Sequence, residues 1–332
     1  MISRDKINPQ DKLDDENYTW ERLIRKYEER FPYTVVAIKQ CPFCKSENFT
    51  LFTRKYGWWA YRLCNHCRSI FQNPRPTPEA LAGYYKFLAD EGVNLHTLCE
   101  ETKAYRVEHI YVPRWRRSMN MLKSCGVVFP VKKLMEVGAG IGTYTEIMAD
   151  YHSAREYTIV EPDQSCAKHY TKQPWKLLKT NLENIFVQNY GNQDLIVMNS
   201  VIEHPLDIEK FFSVLSELLS PTGYIILVDM NAEGVDLLAA QDQADNLVPY
   251  HHLQIASHSG LDALCSRVGL RVWSFWSEGN LDVEICLKLI RNPPLADAVQ
   301  KRGEHMIYDL QELLKYHGMT GYNGYIIGKK RR

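Results

Sequence analysis

The chain has 332 residues, 45% hydrophobic and 24% charged, with 40 basic residues balanced by 40 acidic ones. That length accommodates one large domain and a small one, and the composition excludes disordered and fibrous classes. The even charge balance lacks the broad positive field that usually accompanies phosphate-backbone binding, so a small-molecule substrate is expected ahead of nucleic acid. The opening stretch, MISRDKINPQDKLDDENYTW, is acidic and polar, with no apolar run behind a basic start. No window reaches the roughly 18 apolar residues of a spanning helix, so the expectation is a cytoplasmic protein with no membrane partner. In a reducing compartment its nine cysteines need an explanation other than disulfides.

Residues 1–34 read as an N-terminal helical segment, with Trp20, Leu23, Ile24, Tyr27 and Phe31 at helical spacing and charges between them. Residues 35–75 hold two C-x-x-C pairs, Cys41-Pro-Phe-Cys44 and, nineteen residues on, Cys64-Asn-His-Cys67. Each pair presents two thiolates from one tight turn, and an intervening hairpin brings the pairs together, which predicts a structural four-cysteine Zn2+ ribbon. His66 lies inside the second knuckle, where four sulfurs already fill a tetrahedron. Cys99, Cys125, Cys166, Cys265 and Cys286 are scattered and read as core residues or spectators.

The prolines of NPRPTPEA (73–80) mark a boundary and a helix start, and residues 76–123 read as a helical connector interrupted near Pro113. From 124 to 291 apolar strands alternate with helical patterns: KKLMEV (132–137), EYTIV (156–160), DLIVM (194–198), GYIILVD (223–229), LRVWSFW (270–276) and VEICLKLI (283–290). Such alternation predicts βαβ units, an α/β doubly wound and mostly parallel sheet. Residues 292–332 read as a C-terminal helical extension in which NGYIIGKK is a short extra strand.

Directly after the first of these strands comes Glu136-Val137-Gly138-Ala139-Gly140-Ile141-Gly142-Thr143. Glycines at the carboxyl end of a strand let the backbone turn sharply and approach a ligand. A dinucleotide fingerprint has its glycines at the first, third and sixth positions, whereas here they fall at the first, third and fifth. The next strand ends in Glu161, placed to take both hydroxyls of a ribose. Together these features describe a nucleoside whose tail lacks a pyrophosphate.

The segment from Glu136 to Gly142, the acidic strand end IVEPD (159–163) and DLIVMNSVIEHPLD (194–207) resemble the class I S-adenosylmethionine-dependent methyltransferases, closest to the ubiquinone-type and sugar-type small-molecule branch. The resemblance implies a Rossmann-like seven-stranded sheet and S-adenosylmethionine as cofactor. It places Gly138, Gly140 and Gly142 along the methionine and ribose, and Glu161 on the ribose hydroxyls. Asn181 stands where the family often has an aspartate facing the adenine amino group. Glu136, Ala139, Thr143, Pro162, Leu182, Asn199 and Ser200 complete the expected cofactor lining.

Methyl transfer to a hydroxyl or acidic carbon needs alignment and proton removal. His204, after Glu203 in the loop behind strand 194–198, is the first candidate base, because imidazole titrates near neutrality; the pair could equally cap the following helix. Similar sequences place a histidine over the acceptor pocket at His252, with Tyr250 able to offer a hydroxyl. Related ubiquinone-type enzymes can bind a metal through a glutamate three residues before the Glu-His pair; Ser200 stands there, so no metal is expected at this loop. Two other functions fit the sequence: an RNA methyltransferase gripping RNA through Arg54, Lys55, Arg62 and Arg68 with Tyr56, Trp58, Trp59 and Tyr61 for stacking, and a non-catalytic adenosylmethionine-binding protein.

Overall fold

A computed structural model describes residues 10–31, 34–93, 96, 102–170, 174–289 and 293–330. The first helix, α1 (Gln10–Arg30), buries Leu23, Ile24 and Tyr27 at the expected spacing. They pack on α2 (Pro78–Asp90), which starts where the prolines predicted, Thr77 accepting the Ala80 N–H and Pro78 filling the first turn. Between these helices in sequence lies the ribbon, β1 (Phe49–Lys55), β2 (Trp59–Cys64) and β3 (Ile70–Gln72), an antiparallel meander.

Pro113 does not interrupt the connector. A π-helical turn over Val107–Tyr111 runs straight into α3 (Val112–Ser124), with the Val112 N–H donating to Val107 O. Widening the helix by one residue ahead of a proline absorbs the hydrogen bond and space that proline removes.

The main sheet has seven strands: β4 (Val131–Val137), β5 (Ala154–Val160), β6 (Lys176–Leu178), β7 (Gln193–Asn199), β8 (Leu219–Met230), β10 (Leu270–Ser277) and β11 (Tyr322–Lys329), while β9 (Gln254–Ile255) joins the ribbon. Their spatial order is β10-β11-β8-β7-β4-β5-β6. Six strands run in the same direction, and β11 is antiparallel to both of its neighbours. Alternate side chains face opposite layers. Met135, Val137, Ile196, Met198, Ile225 and Leu227 meet α5 (Ile208–Leu218) and α7 (His258–Arg267), whereas Leu134, Leu195, Val197, Ile226 and Val228 meet α3 and α4 (Thr143–Asp150). A shorter helix, α6 (Val235–Ala240), follows β8. The fold is thus the doubly wound α/β class that the alternation predicted.

One strand is elsewhere than expected. Residues 283–289 of VEICLKLI lie in α8 (Asp282–Leu289), Ile290 lying outside the described residues, and the seventh strand is β11, drawn from beyond residue 291, where the catalytic domain was expected to end. Val283 and Leu287, four residues apart, cluster with Val299, and the Val283 N–H donates to Gln311 Oε1. Helices α9 (Pro293–Gln300) and α10 (Glu304–Tyr316) separate α8 from β11. β11 fills the slot between β8 and β10 because Gly324 and Gly328 leave room for the Trp276 and Trp273 rings. Among the described residues no helix is long and apolar enough to cross a membrane. Cys166 and Cys265 are core residues, as expected; Cys99 lies outside the described residues.

Candidate active site

The loop between β4 and α4 lies at the carboxyl edge of the sheet, where ligands of open α/β sheets bind. Gly138 adopts φ +68°, and a Cβ there would lie 2.6 Å from Val201 Cγ2. Gly142 adopts φ +78° and faces the Tyr170 ring, whose hydroxyl donates to Gly140 O (2.7 Å). Both positions therefore require glycine. Glu161 ends β5 with Oε2 accepting the Gly140 N–H (2.7 Å) and Oε1 accepting the Asp163 N–H (2.8 Å), which ties the glycine loop to the next strand. Burial pushes its carboxyl above the usual range, against the pull of those N–H groups.

The other expected lining residues are placed unevenly. Ala139, Gly140, Asn199 and Ser200 are half-buried at the strand ends, and Thr143 opens α4. Asn199 Oδ1 accepts from Arg114 Nη1 (3.3 Å). Pro162 and Asn181 are exposed beside the crevice, while Leu182 is a core residue. Glu136 is buried, bonded to the Thr145 hydroxyl, and pushed up to about 8 by burial, so it works as an internal brace for α4.

Beyond β7 the chain crosses above the carboxyl end of β8. Asp229, the last acid of GYIILVD, accepts the Val201 and Ile202 N–H groups on Oδ2 (2.9 and 3.1 Å) and the Met230 N–H on Oδ1 (2.8 Å). It shapes the turn that carries Glu203 and His204. Glu203 is buried, with one carboxyl oxygen unpartnered, and burial pushes it up to about 7. His204 faces the His251 carbonyl through Nδ1 (2.8 Å). A carbonyl only accepts, so Nδ1 carries the hydrogen and Nε2 keeps its lone pair. His252 is held the same way by Asn246 O (2.8 Å).

The two imidazole rings lie 5.3 Å apart, and the ligand atoms of Glu203, His204 and His252 fall within 4.8 Å of one another. That spacing could admit a cation, with Ser200 adding no second carboxylate. Burial lowers both histidines, His252 to about 3, so both rings are neutral at neutral pH. The His204 side chain remains 40% exposed, accessible to a substrate.

Tyr250 is placed away from this group. Its ring is fully buried, stacked on Tyr84 (4.6 Å) and edge-on to Trp59 (5.1 Å), and its hydroxyl donates to Glu28 Oε1 (3.3 Å). Glu28 also takes the indole N–H groups of Trp58 and Trp59. Trp59, Tyr61 and Lys55 are likewise buried, the lysine donating to Ala244 O, which removes two of the four stacking side chains and one of the four basic ones that the RNA reading relied on. His66 is exposed, as its place in the knuckle suggested.

The sulfurs of Cys41, Cys44, Cys64 and Cys67 all lie within 4.8 Å of one another, with Cys41 to Cys67 at 3.7 Å and Cys44 to Cys64 at 3.5 Å. His96 and Asp163, to which the sequence assigned no role, also group at the crevice with Cys166, with His96 Nε2 3.3 Å from Asp163 Oδ2. Asp163, two residues after Glu161 in IVEPD, was the one local signal; His96 is remote in sequence.

An open, doubly wound sheet with a glycine turn behind its first strand and a carboxylate ending the second defines a nucleoside-binding α/β domain. A family model described as a methyltransferase domain matches residues 107–275, just over half of the chain, and the chain belongs to that family, the class I S-adenosylmethionine-dependent methyltransferases. It is 24% identical over 131 residues to the malonyl-[acyl-carrier protein] O-methyltransferase of Chlorobium luteolum, covering 37% of this chain and 48% of the relative. The chain thus spans about half the length of that curated relative. Among solved structures it is similar to an S-adenosylmethionine-dependent methyltransferase from Clostridium acetobutylicum (TM-score 0.46, 11% identity, 74% of this chain and 99% of the other). Another is a methyltransferase from Archaeoglobus fulgidus (TM-score 0.44, 15% identity, 66% and 92%).

Proposed function

We propose that this chain transfers a methyl group from S-adenosylmethionine to a small-molecule acceptor, foremost a sugar, a nucleotide-linked sugar or a related biosynthetic intermediate. The observation that carries this reading is the neutral His204 imidazole on the loop behind β7, its Nε2 bearing the lone pair 3.8 Å from Glu203 Oε1 and its side chain 40% exposed. When bound, the cofactor supplies an electrophilic methyl on a sulfonium. The glycine loop and Glu161 would hold its adenosyl part, and His204 Nε2 would take the proton that the acceptor loses on methylation. His252 and Glu203, whose carboxyl burial pushes up to about 7, line the acceptor side.

Burial of Trp59, Tyr61 and Lys55 supports a small acceptor over RNA. The Chlorobium luteolum relative is by name an O-methyltransferase, which makes oxygen the first acceptor atom to test. The four cysteines would hold a structural Zn2+: a tetrahedron with zinc–sulfur bonds of about 2.3 Å has edges of about 3.8 Å, close to the sulfur spacings of 3.7 and 3.5 Å. Methyl-labelled S-adenosylmethionine and a panel of nucleotide sugars, free sugars and acyl thioesters test the function. Label moving to at least one class is expected, and transfer to RNA but to no small molecule would reverse it.

A further inference from the structure

We propose that the four-cysteine ribbon is a built-in part of the acceptor site, and that Tyr61 is a positioning residue for the His204–His252 pair. The inference rests on the reading above, in which that pair faces the acceptor. A module used only for partner recognition can hang from a linker. Here the ribbon and the catalytic domain interlock.

The interlock begins at the histidine loop. Strand β9 starts two residues after His252 and pairs antiparallel with β3, Gln254 opposite Phe71 and Ile255 opposite Ile70. The Gln72 N–H donates to Leu253 O (2.8 Å), and the Leu253 N–H donates in turn to Glu203 O (2.7 Å). The Tyr61 hydroxyl donates to His252 O (3.0 Å). Since His251 O holds His204 Nδ1, the backbone from His251 to Leu253 sets where both imidazoles point, and ribbon groups fix that backbone at two of its three residues.

The knuckles are tied down as firmly. Cys67 O accepts the hydroxyls of Ser257 and Ser259, the latter at 2.7 Å, and the Ser257 N–H donates to Ser69 Oγ (3.1 Å). A Cβ at Gly260 would collide with Ser69 Oγ, so α7 can start only this close to the ribbon if that residue is glycine. Arg267, at the other end of α7, donates to Phe43 O and Pro42 O in the first knuckle. Cys41, Phe43, Cys64, Cys67 and Phe71 share one hydrophobic core with Phe212, Leu261 and Leu264. The adenosyl side is braced separately, by Glu161, Tyr170 and Thr145.

Ribbon and cofactor loop should therefore be separable by mutation. Tyr61→Phe keeps the buried ring and deletes the bond to His252 O, and Ser259→Ala deletes one bond to Cys67 O. In the full-length, zinc-replete protein labelled on histidine, imidazole NMR signals are assigned with His204→Gln and His252→Gln and recorded with S-adenosylhomocysteine bound. Tyr61→Phe is expected to shift or broaden the His204 and His252 signals and leave exposed histidines such as His66 in place, with S-adenosylhomocysteine affinity within about twofold of wild type. Ser259→Ala is expected to move the same two signals less. Unmoved His204 and His252 signals in both variants overturn the proposal, and so does a tenfold or greater loss of S-adenosylhomocysteine affinity, because the ribbon would then be holding the fold as a whole. If wild-type protein fails to bind S-adenosylhomocysteine, the proposed function falls instead, a result separate from either variant.

Discussion

Replacing Gly138 by alanine puts a side chain into a left-handed backbone position and against a neighbour that cannot retreat. The residue adopts φ +68°, and the new Cβ would lie 2.6 Å from Val201 Cγ2. Val201 is held from behind, its N–H bonded to Asp229 Oδ2 at 2.9 Å. A left-handed non-glycine residue costs about 1–2 kcal/mol, so the free loop relaxes toward negative φ and carries its amides off the ligand. Binding must then restore the strained form, which lowers affinity by up to that cost, roughly 5–30-fold. Equilibrium dialysis with labelled S-adenosylmethionine reads this directly. Adding Val201→Ala removes the overlap and leaves the φ strain, so the double variant should recover only part of the loss. Wild-type affinity in Gly138→Ala would refute the reasoning that this turn cradles the cofactor.

Two further outcomes follow from the buried ionisable groups. Burial lowers the His204 imidazole, so the acid limb of kcat/KM should fall below the ordinary histidine value near 6.5, and His204→Ala should reduce kcat by about 10²–10⁴-fold while S-adenosylhomocysteine still binds; an unchanged turnover in that variant removes it as the base. Glu136, held at about 8 by burial, binds its proton more tightly folded than unfolded, so its contribution to stability is full below about pH 4.5 and is lost as pH rises through 8, on the order of 5 kcal/mol over the window. Denaturant unfolding of Glu136→Gln, which keeps the bond with Thr145, should show a flatter decline between pH 5 and 8 than wild type, and equal slopes would contradict the assignment.

Much of the architecture was legible because it is written in local periodicity. Tyr144, Ile147 and Met148, or Phe211, Phe212 and Leu215, show one helical face each, and those are the faces that meet the sheet. The glycine loop and Glu161 were legible because turn chemistry is local. The exchange between VEICLKLI and NGYIIGKK was not, since both are short apolar runs of ambiguous period. What decides them lies far off in the chain: Gln311 and Val299 support the helix, and two tryptophans of β10 fit over the glycines of β11.

The acceptor side was half legible for the same reason. His204 and His252 stood out by residue type, but the carbonyls of His251 and Asn246 that set their tautomers are tertiary facts. Asp229 was read only as a strand end, because its three N–H partners belong to a turn that forms after β7 and β8 pair. Tyr250 seemed a substrate contact by its company in the sequence, whereas aromatic packing with Tyr84 and Trp59 claims its ring.

The central claim is that the turn behind β4 and the carboxylate ending β5 form one adenosyl site. Calorimetric titration of the full-length, zinc-replete protein with S-adenosylhomocysteine tests it most directly, run beside Glu161→Gln. The account predicts one site per chain in the wild type and at least a tenfold weaker site in the variant; no heat at millimolar ligand, or equal affinity in the two proteins, would contradict it.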